Sequence, residues 1–586
     1  LLNLDLDVEG MDQAQLFDIL SRYDRRKKYF RLKDGSFLDV SDGQLRELSA
    51  LKNGLQISDR ELKKGKTQVP AYRAMYLDSQ LKGGDLIKVE KDNAFRALIR
   101  NMQTMEEHKF QIPREQEKII RGYQKEGFYW IKTLKHNQFG GILADDMGLG
   151  KTLQVITFLW SEFQESAPGE NRRALVITPA SLVFNWMNEI ERFAPGLPAT
   201  VVTGDVKERK ALIKNAGERE VLITSYDLLK RDLKAYQNLD FAVQIIDEAQ
   251  FIKNHATQGA KAVKTIHASF RLALTGTPVE NQLSELWSIF DYLMPGFLYG
   301  YQKFREQFEL PIVRNGDEER LERLQKMIRP FILRRLKKEV LKDLPDKIEK
   351  NMAACMEQKQ KELYHAHAQR LALMLQNQTE EEFADSRFQV LSELTRLRQL
   401  CCDPALVYEN YEGGSAKLDL CIELIQSAVE SGHKILLFSQ FTSMIEILTA
   451  RLQEESISYF VLQGSTKKEQ RAQMVEQFNR DDTSVFCISL KAGGTGLNLT
   501  GADIVIHYDP WWNVAVENQA TDRAHRIGQK NVVTVYKLIA KGTIEEKIIK
   551  LQQRKKELAE EILSGDEIKT ASFQREELLE LLEERF

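Results

Sequence analysis

The run Asp145-Asp146-Met147-Gly148-Leu149-Gly150-Lys151-Thr152 combines residue types in the order that polyphosphate chemistry needs. Glycines let successive backbone N–H groups curl around phosphate oxygens, and a following helix N-terminus adds positive potential. Lys151 can then reach the β- and γ-phosphates, and Thr152 offers a hydroxyl to Mg²⁺. The strict G-x-x-x-x-G-K-[ST] pattern is not met, because Asp145 stands at the first glycine position, so this run alone leaves a plain glycine-rich turn open. A second element of the same chemistry follows at Asp247-Glu248-Ala249-Gln250, where Asp247 would hold Mg²⁺ and Glu248 would polarise an attacking water. An isolated Asp-Glu after a strand is more commonly a loop or a helix cap. The order of the two runs favours a single nucleotide site.

Such a loop works only where a buried strand ends and a helix begins. Residues 140–144 read as a short buried strand and 153–160 as the helix after the loop, while Ile120, Tyr123, Phe128, Ile131 and Leu134 recur at helical spacing before it. Further buried strands are expected at 174–178, 221–224, 243–246 and 271–274, and again at 434–438, 456–462, 485–489, 504–507 and 533–538. Helical patterns between them predict an α/β fold with two parallel-sheet lobes in tandem. The expected layout is a small N-terminal accessory module over 1–105, with a hairpin at 28–32 and 37–40, then lobe one with a helical insertion over 106–345. A linker and helical insertion follow over 346–412, then lobe two over 413–550 and a charged helical segment over 551–586.

The 586 residues carry 83 Lys plus Arg against 86 Asp plus Glu, which excludes a uniformly basic coat and leaves nucleic-acid binding to local runs. The run Arg334, Arg335, Lys337, Lys338 is one, although such runs are commonly solvated helical faces. No apolar stretch approaches the roughly 18 residues of a membrane span, and the first ten residues lack a basic n-region, so neither span nor signal peptide is expected. The chain opens at Leu1, which raises the expectation of a longer parent protein. Five cysteines with no C-x-x-C pair suit free thiols in a reducing compartment. His365, His367, Cys401, Cys402 and His433 do not have zinc-site spacing.

Taken in order, these runs resemble the SWI/SNF-type DNA translocases of helicase superfamily two, and the likeness extends over residues 119–550. It implies two RecA-like lobes and a DNA-stimulated ATP hydrolase using ATP and Mg²⁺. Arg121-Gly122-Tyr123-Gln124 is similar to the family's adenine-side motif, which implies that Gln124 reads the base. Met147, Gly148, Leu149, Gly150, Lys151 and Thr152, with Gly496 from lobe two, would surround the nucleotide. Thr178 and Ser181, Thr224 and Ser225, Ser439 and Gln440, Gly464 and Ser465, and Lys491 and Thr495 match segments that touch a nucleic-acid backbone. Thr275 and Thr277 lie in a stretch similar to the coupling motif, to which the resemblance adds Gln250 and Trp512. The block from Gln519 to Gln529 is the most specific, and implies that Arg523 and Arg526 are arginine fingers reaching across the cleft, with Gln519 beside them. Such a finger contributes about 10³ to 10⁵ in rate.

Departures from the family pattern are Asp146 in place of Glu, Gln250 in place of His, Val514 in place of Pro and Lys491 in place of Arg. Gln250 can donate and accept but cannot titrate, so coupling to lobe two is where a difference is expected. The implied partners are double-stranded DNA and a DNA-bound complex such as RNA polymerase, engaged by a monomeric motor without a membrane. The front segment is similar to modules preceding the motor in bacterial members, which points to a bacterial cytoplasm and leaves a eukaryotic nucleus open. Two alternatives stand beside translocation: a strand-separating helicase, and an ATP-gated binding module, against which the intact Lys151, Glu248, Arg523 and Arg526 argue.

Overall fold

The computed structural model describes residues 2–5, 29–31, 37–39, 52, 55, 66–81, 90–104, 110–165, 170–276, 283–341, 345–377, 380–466, 468–490, 497–511, 514–526, 528–550 and 552. Thr277, Lys491, Thr495, Gly496 and Trp512 therefore lie outside the described residues, as does the segment 551–586 apart from Gln552.

At the front, β1 (Leu2–Asp5) pairs antiparallel with β4 (Lys66–Val69), and β2 (Tyr29–Arg31) pairs with β3 (Phe37–Asp39) at the expected hairpin. Val69, Ala74, Tyr76, Phe95, Ile99 and Met102 belong to the same apolar core as lobe one. Arg73 is buried between them, donating to the Phe297 carbonyl at 2.6 Å with its guanidinium over the Phe297 and Tyr299 rings.

Lobe one holds β5 (Gly141–Leu143), β6 (Ala174–Thr178), β7 (Ala199–Val201), β8 (Val221–Ser225), β9 (Phe241–Asp247), β10 (Ala268–Leu274) and β11 (Ile332–Leu333). All pair parallel, in the order β11-β5-β10-β9-β6-β8-β7. The continuous apolar runs of β6 and β8 are buried at every position, as helices on both faces of a parallel sheet demand. The strand β10 lies between β5 and β9, so Thr275 emerges between the nucleotide loop and Asp247-Glu248. Carboxyl ends of neighbouring strands are where open α/β sheets gather their ligands.

Lobe two repeats the design with β12 (Lys347–Ala354), β13 (Ile435–Ser439), β14 (Tyr459–Leu462), β15 (Val485–Ser489), β16 (Ile504–His507) and β17 (Val533–Ala540), all parallel, ordered β12-β17-β16-β13-β15-β14. Apolar clusters cover the two faces of this sheet. Two parts of the layout expected from sequence are corrected here. Lys347–Ala354 is no linker but the edge strand of lobe two, in register with β17 from Lys347↔Val533 to Ala354↔Ala540. Its lysines and glutamate hid it, because an edge strand keeps charge where a central strand keeps Val and Ile. Within the basic run, which read as helical, residues 332–333 form β11 against β5. The remaining insertion, helices Gln358–Gln376 and Glu380–Cys402, packs against Ala540, Ile544 and Ile548. Lys417 clamps this end by donating to both oxygens of buried Glu545 at 2.7 Å. No helix among the described residues is long and apolar enough to cross a membrane.

His507 ends β16, its Nε2 2.9 Å from the Thr521 hydroxyl and its ring stacked on Phe438. Burial, then the opposing influences of Glu517, Lys537, Glu349 and Lys347, holds it at about 4. A folded value below the unfolded one means this stabilisation is complete above about pH 6.5 and lost as pH falls towards 4, amounting to about 3 kcal/mol at most. Denaturant titrations at pH 7 and 4.5 should show that His507→Gln loses part of the acid sensitivity of lobe two.

Candidate active site

The nucleotide loop leaves β5 and enters the helix Lys151–Glu165 through Gly148 at φ 84° and Gly150 at φ 76°, left-handed conformations that favour glycine. Asp145, at the position where the strict loop pattern has glycine, is fully buried. Its carboxylate accepts from Arg335 Nε at 2.9 Å and from Arg335 Nη2, and from Gln154 Nε2 at 3.1 Å. Arg335 also donates to Gln154 Oε1 at 2.8 Å and to the Tyr123 carbonyl. The departure from the loop pattern is thus an anchor: the base of the loop is tied to the strip that continues β11. Lys151 Nζ donates to the Asp145 carbonyl at 2.6 Å. Gln124 accepts from the Arg121 N–H at 2.9 Å and donates to the Leu149 carbonyl at 3.0 Å, beside the Tyr123 hydroxyl on that same carbonyl. The glutamine expected to read a base therefore also braces the loop. Met147 packs under Gly276, where an added Cβ would lie 3.1 Å from Met147 Cγ.

Asp247 ends β9. Its carboxylate accepts from Trp186 Nε1 at 2.8 Å, Thr178 Oγ1 at 3.2 Å and the Glu248 N–H at 2.9 Å. Burial, then the like charge of Glu248, pushes Asp247 up to about 6. Two adjacent acids in that state suit a cation. Thr152 and Asp247 fit Mg²⁺, which takes one or two protein oxygens and completes its shell with phosphate and water. Among the described residues no group of three or more His, Cys, Asp or Glu forms a metal cage.

Glu248 itself has φ 53°, an uncommon backbone for a side-chain-bearing residue that aims its carboxylate into the cleft. There Oε2 accepts from Gln250 Nε2 at 2.8 Å, and Oε1 accepts from Gln519 Nε2 of lobe two at 3.1 Å. Thr275 Oγ1 donates to Gln250 Oε1 at 3.1 Å. The chain Thr275, Gln250, Glu248, Gln519 thus crosses from lobe one to lobe two, and Gln519 makes the crossing that was expected of Gln250. On the same turn, Arg526 packs its Cβ 3.2 Å from where a Cβ on Gly148 would stand, and donates from Nη1 to the Leu497 carbonyl at 3.3 Å. Arg523 Nε has no hydrogen-bond partner, and burial, then the neighbouring Arg526 charge, lowers Arg523 to about 10. Two crowded guanidiniums beside a glycine-lined loop favour an anion there.

The side chains expected to touch nucleic acid divide. Ser181, Gly464 and Ser465 are exposed, the latter two on a turn braced by Arg471 through the Gly464 and Thr466 carbonyls. For Thr178, Thr224, Ser225 and Ser439 the expectation is corrected, because all four are buried. Thr178 is on Asp247, Ser225 caps the helix Tyr226–Tyr236, and Ser439 Oγ donates to Asp509 at 2.6 Å, which also accepts from the Gln440 N–H. Each sits at a strand's carboxyl end, where its hydroxyl satisfies an internal partner.

A family model described as the SNF2-related domain matches residues 123–406, and another, the helicase conserved C-terminal domain, matches 416–528. The chain belongs to the SNF2 family. A third match, described as bacterial SNF2 helicase associated, spans residues 1–113. An uncharacterized ATP-dependent helicase of Mycoplasma pneumoniae is 41% identical over 491 residues, covering 83% of this chain and 46% of the relative. The putative ATP-dependent helicase/translocase YwqA of Bacillus subtilis is 38% identical, covering 82% of this chain and 53% of the relative. The TATA-binding protein-associated factor MOT1 of Saccharomyces cerevisiae is 35% identical, covering 81% and 29%. The chain thus spans about half the length, or less, of these curated relatives. A solved Sulfolobus solfataricus SWI2/SNF2 ATPase core in complex with dsDNA is 38% identical, covering 76% of this chain and 93% of that one, with a TM-score of 0.39.

Sequence reasoning missed the inward roles of Arg335 and Lys337 in this SNF2 chain. The usable signal was their spacing of two, which in an extended strip puts both on one face, whereas the run read as a solvated helix. Replacing Arg335 by Met leaves Asp145 buried without its cation, and should cost lobe one about 3–5 kcal/mol in denaturant unfolding. Arg335→Lys should recover only part, since one ammonium cannot span the partners of a guanidinium fork.

Proposed function

We propose that this SNF2 chain is an ATP-hydrolysing motor that moves along double-stranded DNA and displaces or remodels proteins bound to it. The observation that carries this reading is Glu248, whose carboxylate is held by Gln250 of lobe one and Gln519 of lobe two in the cleft that Arg523 and Arg526 share. In this reading Lys151 and the loop N–H groups bind the polyphosphate, and Thr152 and Asp247 hold Mg²⁺. The ion, when bound, neutralises phosphate charge. Glu248 orients water when its glutamine partners yield one oxygen. Arg523 and Arg526 bring lobe two onto the phosphates, so hydrolysis requires the lobes together and product release lets them part. With exposed polar positions at 181 in lobe one and 464–465 in lobe two gripping backbone phosphates, closure and opening would advance the chain without reading bases. Relatives named as a helicase/translocase and as a TATA-binding protein-associated factor support a cargo bound to DNA.

The test is steady-state ATP hydrolysis without nucleic acid and with single-stranded DNA, duplex DNA and duplex RNA, using Glu248→Gln as the blank. Duplex DNA should stimulate most, and Glu248→Gln should bind ATP and DNA without turnover. Stimulation chiefly by single strands or RNA would favour strand separation instead, and none at all would favour the binding module. Gln250→Ala should keep ATP binding and lower duplex-stimulated hydrolysis about tenfold, the order expected for losing an orienting hydrogen bond to the catalytic carboxylate. DNA affinity should fall steeply with salt and differ little between duplex sequences, as phosphate contacts dictate.

A further inference from the structure

Lys337 is a buried lysine that the mechanism above does not use. It stands on the strip that continues β11 beside the start of the nucleotide loop. There the Ala144 N–H donates to the Leu333 carbonyl at 2.7 Å, the Asp146 N–H to the Arg335 carbonyl at 3.0 Å, and the Lys337 N–H back to Asp146 Oδ2 at 3.0 Å. With Arg335 clamped on Asp145, this strip is part of lobe one. The Lys337 side chain leaves it and runs past Gly148, its Cε 3.6 Å from where a Cβ there would stand. Its ammonium donates to Asp522 Oδ1 and, at 2.6 Å, to the His525 carbonyl, both in lobe two. A second bond joins the same stretches, with His525 Nε2 2.9 Å from the Pro345 carbonyl.

The residues met on the far side are the reason this contact matters. Asp522 precedes Arg523, and His525 precedes Arg526. Asp522 is an acid whose charge acts on both arginines. An unpaired carboxylate beside two guanidiniums competes with phosphate for them, because bidentate pairing with carboxylate and with phosphate uses the same donor fork.

We propose that Lys337 is a positioning residue that seats the arginine-bearing turn of lobe two against the nucleotide loop and, by occupying Asp522, keeps that acid off Arg523 and Arg526. The inference rests on the ATP-hydrolysis reading, and it makes the tie between the lobes conditional on a residue that touches neither nucleotide nor nucleic acid. Asp146 sets the backbone of Lys337 from the loop side, so the loop, the lysine and the arginine turn move as one linked set.

A double-mutant cycle in the full chain tests it, with duplex DNA present and kcat and the ATP KM read separately. Lys337→Met should lower kcat about tenfold with KM changed less than threefold, the split expected when an interaction acts on the chemical step and not on binding. Asp522→Asn alone should lower kcat about threefold, since the turn loses one tie while the arginines stay free. With Asp522→Asn in place, adding Lys337→Met should cost almost nothing further, so the double variant stays near threefold below the wild type. Independent structural roles would instead multiply to about thirtyfold, and that result overturns the proposal, as does wild-type kcat or a raised kcat in Lys337→Met. Should Lys337→Met melt well below the wild type, Asp522→Asn, which preserves side-chain shape, decides alone: unchanged kcat overturns the proposal and a threefold fall at constant KM supports it. A wild type that hydrolyses no ATP under any condition would sink the ATPase reading itself, a result separate from every arm of the cycle.

Discussion

A buried charge must find its partner, and in this chain that constraint is concentrated at Asp145 and Arg335. Their carboxylate and guanidinium meet beneath the nucleotide loop with Gln154 completing the set. Because either ion alone in that apolar setting would be costly, the strip 332–337 is held next to β5. From that one attachment follow the register of the loop, the placement of Lys337 and the approach of lobe two. The glycines supply the curvature of the loop, and the ion pair supplies its position.

The order of strands explains how the rest assembles. Sequence order would separate the loop after β5 from the carboxylates after β9 by about a hundred residues, but sheet order leaves only β10 between them. Thr275 therefore reaches Gln250, Gln250 reaches Glu248, and Glu248 is met from lobe two by Gln519. A glutamine at 250 serves because the relay needs one donor and one acceptor on the same side chain, which an amide provides without a change of charge.

What could be read in advance follows from whether a residue's role is local. The buried central strands at 174–178, 485–489 and 504–507 fall where their apolar runs put them, since burial on both faces leaves a continuous hydrophobic signature. The edge strands β7, β11 and β12 carried no such signature, being short or charged. At the site, the loop and the acid pair were legible because their chemistry is written in consecutive residues. The roles of Arg335 and Lys337 were not, because their partners lie some 190 positions away in sequence. The buried hydroxyls of Thr178 and Ser439 show the converse: residue type suggested a surface contact, while position at the end of an internal strand assigned each to an acid inside its own lobe.

The front of the chain shares its apolar core with lobe one, through Phe95, Ile99 and Met102 on one helix and the Arg73 guanidinium among Phe297 and Tyr299. Two segments that bury one another cannot be exchanged as cassettes. A change in the helix Asn93–Thr104 is felt in the helices Leu283–Leu293 and Glu318–Ile328, so the two regions are bound to drift together over evolutionary time, whereas lobe two, with apolar clusters of its own, is free to vary at its own pace.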